Sequence, residues 1–392
     1  MYERIRMGGE LMAISPTADI GANLQRLRGM RGLTQEAAAE AAGLSRAAYR
    51  NVEAGLSEPR ASTLVALAKA LGVSPADLLL PAPAPPRARF RSKLRLKDRP
   101  RILHDVGREL DDYASLELLV DEPRPYLFAD FNAPQGPDRA RKAAELVRKQ
   151  LHLGDDPIFD ISGLLEDKVG IKVLWLEIAS EGFFGLSVAE DGSGPAIVVN
   201  SWDRISVERQ IFTAAHELGH LLLHRDEFNP DEIAEHVDAE READVFAAYL
   251  LMPEPRFTKE WQEVLGLPLF DAVMKVKRIF RVSYRTVLHR LDEEGIKDVW
   301  RRFMAQAKMR LGRSLTRTDE PDPLTPAARG TAAPEPLRGR EPYELAPSDF
   351  DPDRRMRLIR RALDERRMSL SRAAEILGID LRKMRDLHQS WA

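Results

Sequence analysis

The chain has 392 residues and no cysteine, so disulfides and thiolate metal sites are excluded and any metal must be held by His, Asp or Glu. A hydrophobic content of 44% with 31% charged residues fits two or three cored domains, and no apolar run reaches the ~18 residues that would predict a membrane span. The formal net charge of −3 excludes bulk attraction to nucleic acid, so any DNA contact must come from local segments. With no apolar signal core at the N-terminus, a cytoplasmic location is expected.

Residues 1–19 have no helical period and are read as a flexible tail, with Met12 a candidate start. Residues 20–82 carry a dense helical signal that predicts five helices. Leu24, Leu27 and Met30 form the first apolar stripe. Thr34 is a plausible N-cap for an Ala-rich helix, Gly43 fits the left-handed position after its end, and Ser45 caps the next helix through Tyr49 and Val52. Two short helices across a glycine turn are helix-turn-helix geometry. The segment resembles the XRE (phage repressor and Cro-like) DNA-binding family through Leu33-Thr34-Gln35, Ala39, Gly43-Leu44-Ser45, Glu53-Ala54-Gly55, Pro59 and Leu71-Gly72-Val73-Ser74. The resemblance implies that the helix from Ser45 enters the major groove of double-stranded DNA, with Gln35, Ser45, Arg46, Arg50 and Asn51 facing it. It also implies a homodimer. The bland alternative is a helical protein-interaction module.

Residues 83–137 read as a basic linker and connecting helix. After the proline-rich stretch, Arg87–Lys97 places a cation at nearly every second position, alternating with Phe90, Leu94 and Leu96. This fits an arm reaching DNA phosphates and a strand with one apolar face equally well. An amphipathic helix over 100–121 follows. From 138 to 310 the pattern is α+β: helices over 140–151 and 158–168, strand candidates 171–176, 183–188 and 196–200, then a long helix from Ser206. Phe184-Gly185-Leu186-Ser187 is the candidate edge strand for pairing with an extended peptide, and an ordinary core strand is its alternative. Phe280–Leu291 has a helix-turn-helix look and is read as packing. Residues 311–352 read as a disordered linker. Residues 353–392 read as a helical tail, with two short helices across Gly378. A helical hairpin docked on the domain of residues 138–310 is expected for it, and a second DNA or protein contact is the alternative.

The helix from Ser206 contains His216-Glu217-Leu218-Gly219-His220. Residues four apart share a helix face, so His216 and His220 can grip one ion, and the adjacent Glu217 can act as general base. Its apolar flanks (Ile211, Phe212, Leu218, Leu221) predict a buried helix, in which a histidine pair needs a compensating partner. His224 is eight residues beyond His216, roughly 12 Å along the axis, too far to share the ion. Its expected place is at the helix end, with oxyanion assistance by His224 or His236 as the alternative. The third ligand is expected from the next helix, with Glu242 foremost and Asp238, Glu240 and Asp244 as rivals. Residues 181–260 hold seventeen Asp/Glu against six Lys/Arg, which favours a cation and keeps this region off DNA.

Phe212–His224 followed by Glu242–Pro253 resembles the ImmA/IrrE metallo-endopeptidase family over about residues 140–295. That resemblance implies Zn2+ on His216, His220 and Glu242, with Glu217 as the base. It also implies a protein substrate, typically a DNA-bound repressor of XRE type, and the expected target here is a repressor or an antitoxin-like partner. The expected function is a DNA-binding regulator with an endopeptidase domain. The alternatives are a non-proteolytic XRE transcription factor whose metal domain is a sensor or structural element, and a repressor that cuts its own 81–99 or 313–351 segment.

Overall fold

In a computed structural model, the residues described are 20–21, 23–25, 27–28, 33–79, 88–92, 99–180, 182–189, 194–225, 237–316, 318–329 and 354–391. The readings made for residues 1–19, Leu94, Leu96, His236 and 330–353 lie outside them. The chain forms two compact units: Met1–Pro85 with Lys97–Gly107, and Pro86–Leu96 with Arg108–Ala392.

In the first unit, the described residues between 20 and 28 are helical. They are followed by α1 (Gln35–Ala41), α2 (Arg46–Glu53), α3 (Ala61–Leu71) and α4 (Pro75–Leu79). The five helical segments expected are present. Thr34 Oγ1 accepts from Ala37 N and Ser45 Oγ accepts from Ala48 N, so both predicted caps satisfy otherwise orphaned amides. Between the helices Gly43 adopts φ +67°, a left-handed turn that a side chain would resist. Leu24, Ala38, Ala39, Tyr49, Val52, Leu67 and Leu71 fill the core, which leaves the α2 face of Arg46, Ala47, Ala48 and Arg50 in solvent.

Helix α5 (Arg99–Leu119) leads into the second unit, where α6 (Arg139–Gln150) and the short α7 (Ile161–Gly163, continuing as a π turn Leu164–Val169) precede the sheet. The sheet has four strands: β1 (Ala88–Ser92), β2 (Lys172–Leu176), β3 (Phe183–Val188) and β4 (Ala196–Asn200), in the order β1-β3-β4-β2. β2 and β4 are parallel, β3 is antiparallel to β4, and β1 is antiparallel to β3 with Phe90 opposite Leu186 and Arg91 opposite Gly185. The basic stretch after the proline linker thus supplies a strand. The expected edge role of Phe184–Ser187 is corrected by the same pairing: β3 is hydrogen-bonded on both sides and all six of its residues are buried.

Behind the sheet lie α8 (Val207–Leu223), α9 (Val237–Leu251), α10 (Glu254–Glu263), α11 (Leu269–Phe280), α12 (Tyr284–Glu293) and α13 (Val299–Leu311). α8 is buried almost all round, enclosed by the sheet and by other helices. α12 starts after Arg281 in the left-handed region and buries Tyr284, Val287, Leu288 and Leu291, so this helix-turn-helix look-alike is packing.

Residues 318–329, expected in a disordered linker, are tied to the same core. Buried Lys277 draws them in: its Nζ donates to Glu208 at 2.8 Å, Glu320 at 2.9 Å and the Pro321 carbonyl at 2.9 Å. A buried ammonium needs several acceptors, and the linker supplies them. The tail forms α14 (Arg354–Asp364), α15 (Leu370–Leu377) and α16 (Leu381–Ser390). Arg354 pairs with buried Glu117, Arg355 with Glu109 at 2.6 Å and Arg372 with Asp112 at 2.5 Å, which docks the tail on the connecting helix α5. On the domain of residues 138–310, where docking is expected, Arg357 pairs with Asp167 at 3.1 Å.

Candidate metal centre

Three close approaches build the site. At Gly219 a Cβ would stand 3.0 Å from the Phe246 ring and 3.3 Å from Ala243 Cα, so glycine and alanine let α8 and α9 touch. That contact brings the first turns of α9 up to the histidines. At Gly185 a Cβ would meet Thr213 Cγ2 at 2.6 Å and come within 3.4 Å of Glu217 Oε1, so β3 lies directly against the Glu217 carboxylate. Arg139 on α6 reaches across to α9, and buried Arg148 donates to the carbonyls of Leu250, Gly154 and Asp156, binding α6 to the same helix.

His216, Glu217 and His220 are almost entirely buried. The Nε2 atoms of His216 and His220 lie 2.9 Å apart. The carboxylate that meets them belongs to Glu240, with Oε2 3.3 Å from His216 Nε2 and Oε1 3.1 Å from His220 Nε2. One ligand atom from each of these three residues falls within 4.8 Å of the others. Burial alone would raise the Glu240 carboxyl, but the adjoining His216 and His220 rings outweigh it and hold the group far below the usual carboxylate range.

Glu242, the expected third ligand, lies elsewhere. Its Oε2 is 3.0 Å from His224 Nε2, and Arg139 clamps the carboxylate through Nε at 2.8 Å and Nη2. Arg139, with His224 adding to it, keeps the Glu242 carboxyl below its ordinary range. Two residues along a helix rotate a side chain by about 200°, so Glu240 and Glu242 face opposite ways, whereas Asp244 returns to the Glu240 side. Asp244 Oδ1 is 2.8 Å from His216 Nδ1. Of the other rivals, Asp238 is exposed.

His224 is buried with its Nδ1 2.9 Å from His220 Nδ1. It stands behind His220, on the side away from the paired Nε2 atoms, which corrects the alternative of oxyanion assistance. Sequence spacing showed that His224 cannot share the ion, but the ring contact depends on how the C-terminal turn of α8 winds.

The outer hydrogen bonds test whether the donors suit a metal. A carboxylate only accepts, so Asp244 requires the proton of His216 on Nδ1 and leaves Nε2 with its lone pair inward. Glu242 likewise places a proton on His224 Nε2. Neutral His224 then accepts from His220 Nδ1–H, and His220 Nε2 also turns its lone pair inward. Two imidazole lone pairs and an ionised carboxylate converging on one point form a donor set that fits a divalent ion of the zinc type.

Beside this centre a cavity of about 1140 Å³ is lined by Phe184, Trp202, Arg209, Phe212, Asp244 and Arg290, among others. Arg209 stacks on the Phe184 ring at 3.9 Å. In the first unit, Arg46 and Arg50 are exposed on α2, as their expected role requires. The Ser45 hydroxyl is engaged in capping and Asn51 is half-buried. The Gln35 amide donates to Glu53 at 3.0 Å, where Arg28 also binds at 2.8 Å.

Residues 24–78 match the helix-turn-helix family model, and residues 166–292 match the IrrE N-terminal-like domain. A curated relative, the uncharacterized HTH-type transcriptional regulator y4dJ of Sinorhizobium fredii (strain NBRC 101917 / NGR234), is 40% identical over 67 residues. That match covers 17% of this chain and 87% of the relative. The chain belongs to the XRE-type helix-turn-helix regulators and carries an IrrE/ImmA-like peptidase domain. Among solved structures, the apo form of the competence regulator ComR from Streptococcus vestibularis aligns at 14% identity with a TM-score of 0.16, covering 75% of this chain and 92% of that one. His216, Glu217, His220, Glu240 and Glu242 all fall inside the match to the IrrE-like peptidase domain, whereas Arg139 lies outside it. Among the described residues, no helix of this regulator is long and apolar enough to cross a membrane.

Proposed function

We propose that this helix-turn-helix regulator is a zinc-dependent endopeptidase that cleaves a repressor or antitoxin-like protein to control gene expression. The observation that carries the reading is the convergence of His216 Nε2, His220 Nε2 and the Glu240 carboxylate beside buried Glu217. His216, His220 and Glu240 would hold the ion. Zinc bound there supplies Lewis acidity toward a water and a peptide carbonyl. Glu217 accepts the proton of the attacking water and passes it to the leaving amine, which needs one carboxylate close to both positions. Asp244 and His224 hold the two imidazoles in the tautomer that presents Nε2. The neighbouring cavity holds the substrate chain.

Residues 20–82 bind double-stranded DNA through the exposed face of α2, where Arg46 and Arg50 stand, and residues 138–310 form the peptidase domain. Action on the chromosome suits a homodimer in the cytoplasm. The test is incubation of the zinc-loaded protein with the products of neighbouring regulator and antitoxin-like genes. Site-specific cleavage by wild type and none by Glu217→Gln supports the reading. Intact partners with stoichiometric zinc, under inducing conditions too, overturn it. For the DNA domain, Arg46→Ala with Arg50→Ala should weaken operator binding, and unchanged binding refutes the assignment of α2.

A further inference from the structure

The docked tail repeats the helix-turn-helix of the first unit at a constant offset of 335 residues. Thr34, which caps α1, corresponds to Ser369, which caps α15. Ala38-Ala39-Glu40 corresponds to Ala373-Ala374-Glu375, and both alanine pairs are buried. Gly43, at φ +67°, corresponds to Gly378, at φ +63°. The turn bonds match as well: Gly43 N to Glu40 O and Leu44 N to Ala39 O recur as Gly378 N to Glu375 O and Ile379 N to Ala374 O. Ser45, capping α2 through Ala48 N, corresponds to Asp380, capping α16 through Lys383 N. Buried Tyr49 corresponds to buried Met384, and Arg50 to Arg385.

The outward faces carry the inference. On α2 the solvent side is Arg46, Ala47, Ala48 and Arg50; on α16 the exposed residues include Arg382, Lys383 and Arg385. Residues 354–391 hold eleven Lys/Arg against five Asp/Glu, and the α14 and α15 arginines are largely spent on docking. Among the described residues the three cations of α16 make no docking pair, apart from a long 3.9 Å contact between Lys383 and its own cap Asp380. Helix α12 shows what a purely structural copy looks like. It also starts three residues after a left-handed turn, but at the positions of Arg382, Lys383 and Arg385 it has Arg285 and Thr286, both half-buried, and buried Leu288.

We propose that α15 and α16 form a second helix-turn-helix, with α16 entering the major groove of duplex DNA and Arg382, Lys383 and Arg385 contacting phosphates and base edges. A ten-residue helix with cations on its N-terminal half suits that groove, while the docking pairs are made by the preceding helices α14 and α15.

The test uses full-length protein, a fluorescent random-sequence duplex and a potassium chloride series. It compares Arg382→Ala/Lys383→Ala/Arg385→Ala with wild type, and makes the same comparison in an Arg46→Ala/Arg50→Ala background, so that failure of the α2 reading stays separate. Loss of three phosphate contacts should make the log K against log salt slope shallower by about two to three and weaken binding at least about tenfold in both backgrounds. Arg382→Lys/Arg385→Lys should retain the slope. Unchanged affinity and slope in both backgrounds, with an unchanged melting temperature, overturn the proposal. So does displacement of the duplex by single-stranded RNA at lower concentration than by unlabelled duplex.

Discussion

Glu242 bonds His224, at 3.0 Å between Oε2 and Nε2, while Glu240, one residue pair earlier on the same helix, meets both histidines of the motif. The two carboxylates should therefore separate in metal titrations. Glu240→Ala removes a donor, and stoichiometric zinc in the purified protein should be lost. Glu242→Ala removes only the support of His224 and should weaken zinc about 10- to 100-fold while leaving one ion bound at saturation. Calorimetric titration with competing chelator checks both, and the reverse ranking would restore Glu242 as the ligand.

Glu217 is buried against Gly185 and supplies no ligand atom to the converging set. Glu217→Gln keeps the shape of the side chain and loses its basicity. Zinc content and melting temperature should stay as in wild type, while single-turnover cleavage falls by on the order of 100- to 10,000-fold. Residual cleavage near the wild-type rate would place the base elsewhere.

β1 covers the open side of β3, with Arg91 opposite the glycine that lies against Glu217. An extended peptide can add to β3 only after β1 leaves, since a strand has two hydrogen-bonding sides and both are used. In an antiparallel ladder, alternate residues donate to the neighbour, so one of any two adjacent prolines must break a β1–β3 bond. Phe90→Pro with Arg91→Pro should accelerate cleavage of an added protein substrate and increase protease nicking of the 81–99 linker. Equal cleavage rates would show that substrate does not use this edge.

Burial pushes the Glu320 carboxyl up to about 7, against the lowering effect of Lys277, and pushes Glu166, beside the Tyr113 hydroxyl at 2.6 Å, up to about 7 as well. Both folded values lie above the unfolded carboxylate value of about 4.3. Their contribution to stability is full below that value and is lost as pH rises through about 7, by on the order of 1–3 kcal/mol each. The melting temperature of metal-free protein should fall between about pH 5 and 7.5. Glu320→Gln and Glu166→Gln should each flatten that fall, and an unchanged profile in both variants would assign it to other groups.

Lys277 donates to two carboxylates, Glu208 and Glu320, with less than a twentieth of its surface exposed. Lys277→Met leaves both acids buried without their cation and should cost about 3–5 kcal/mol. Limited proteolysis should then cut within 312–329, because the linker loses what anchors it. Resistance equal to wild type would show that other contacts hold this segment.

Much of the molecule was legible in the sequence because local signals carry it. Caps at Thr34 and Ser45, the glycine at 43, the four-residue spacing of His216 and His220 and the strand pattern of 183–188 and 196–200 depend only on neighbours along the chain. What depends on neighbours in space was not. Glu240 and Glu242 are equally acidic and lie on one helix, and only the approach of Ala243 to Gly219 sets which of them faces the histidines. A basic stretch that reads equally as arm or strand is decided by β3, which offers it a free edge. Residues 318–329 read as linker by composition and are ordered by one buried lysine. The sequence by itself determined the helices, their caps and the histidine pair, since each rests on contacts within about a turn of helix. The carboxylate that faces the histidine pair, the covered edge and the outward face of α16 were decided by tertiary structure, because each depends on which of several similar residues a distant segment leaves exposed or brings into reach.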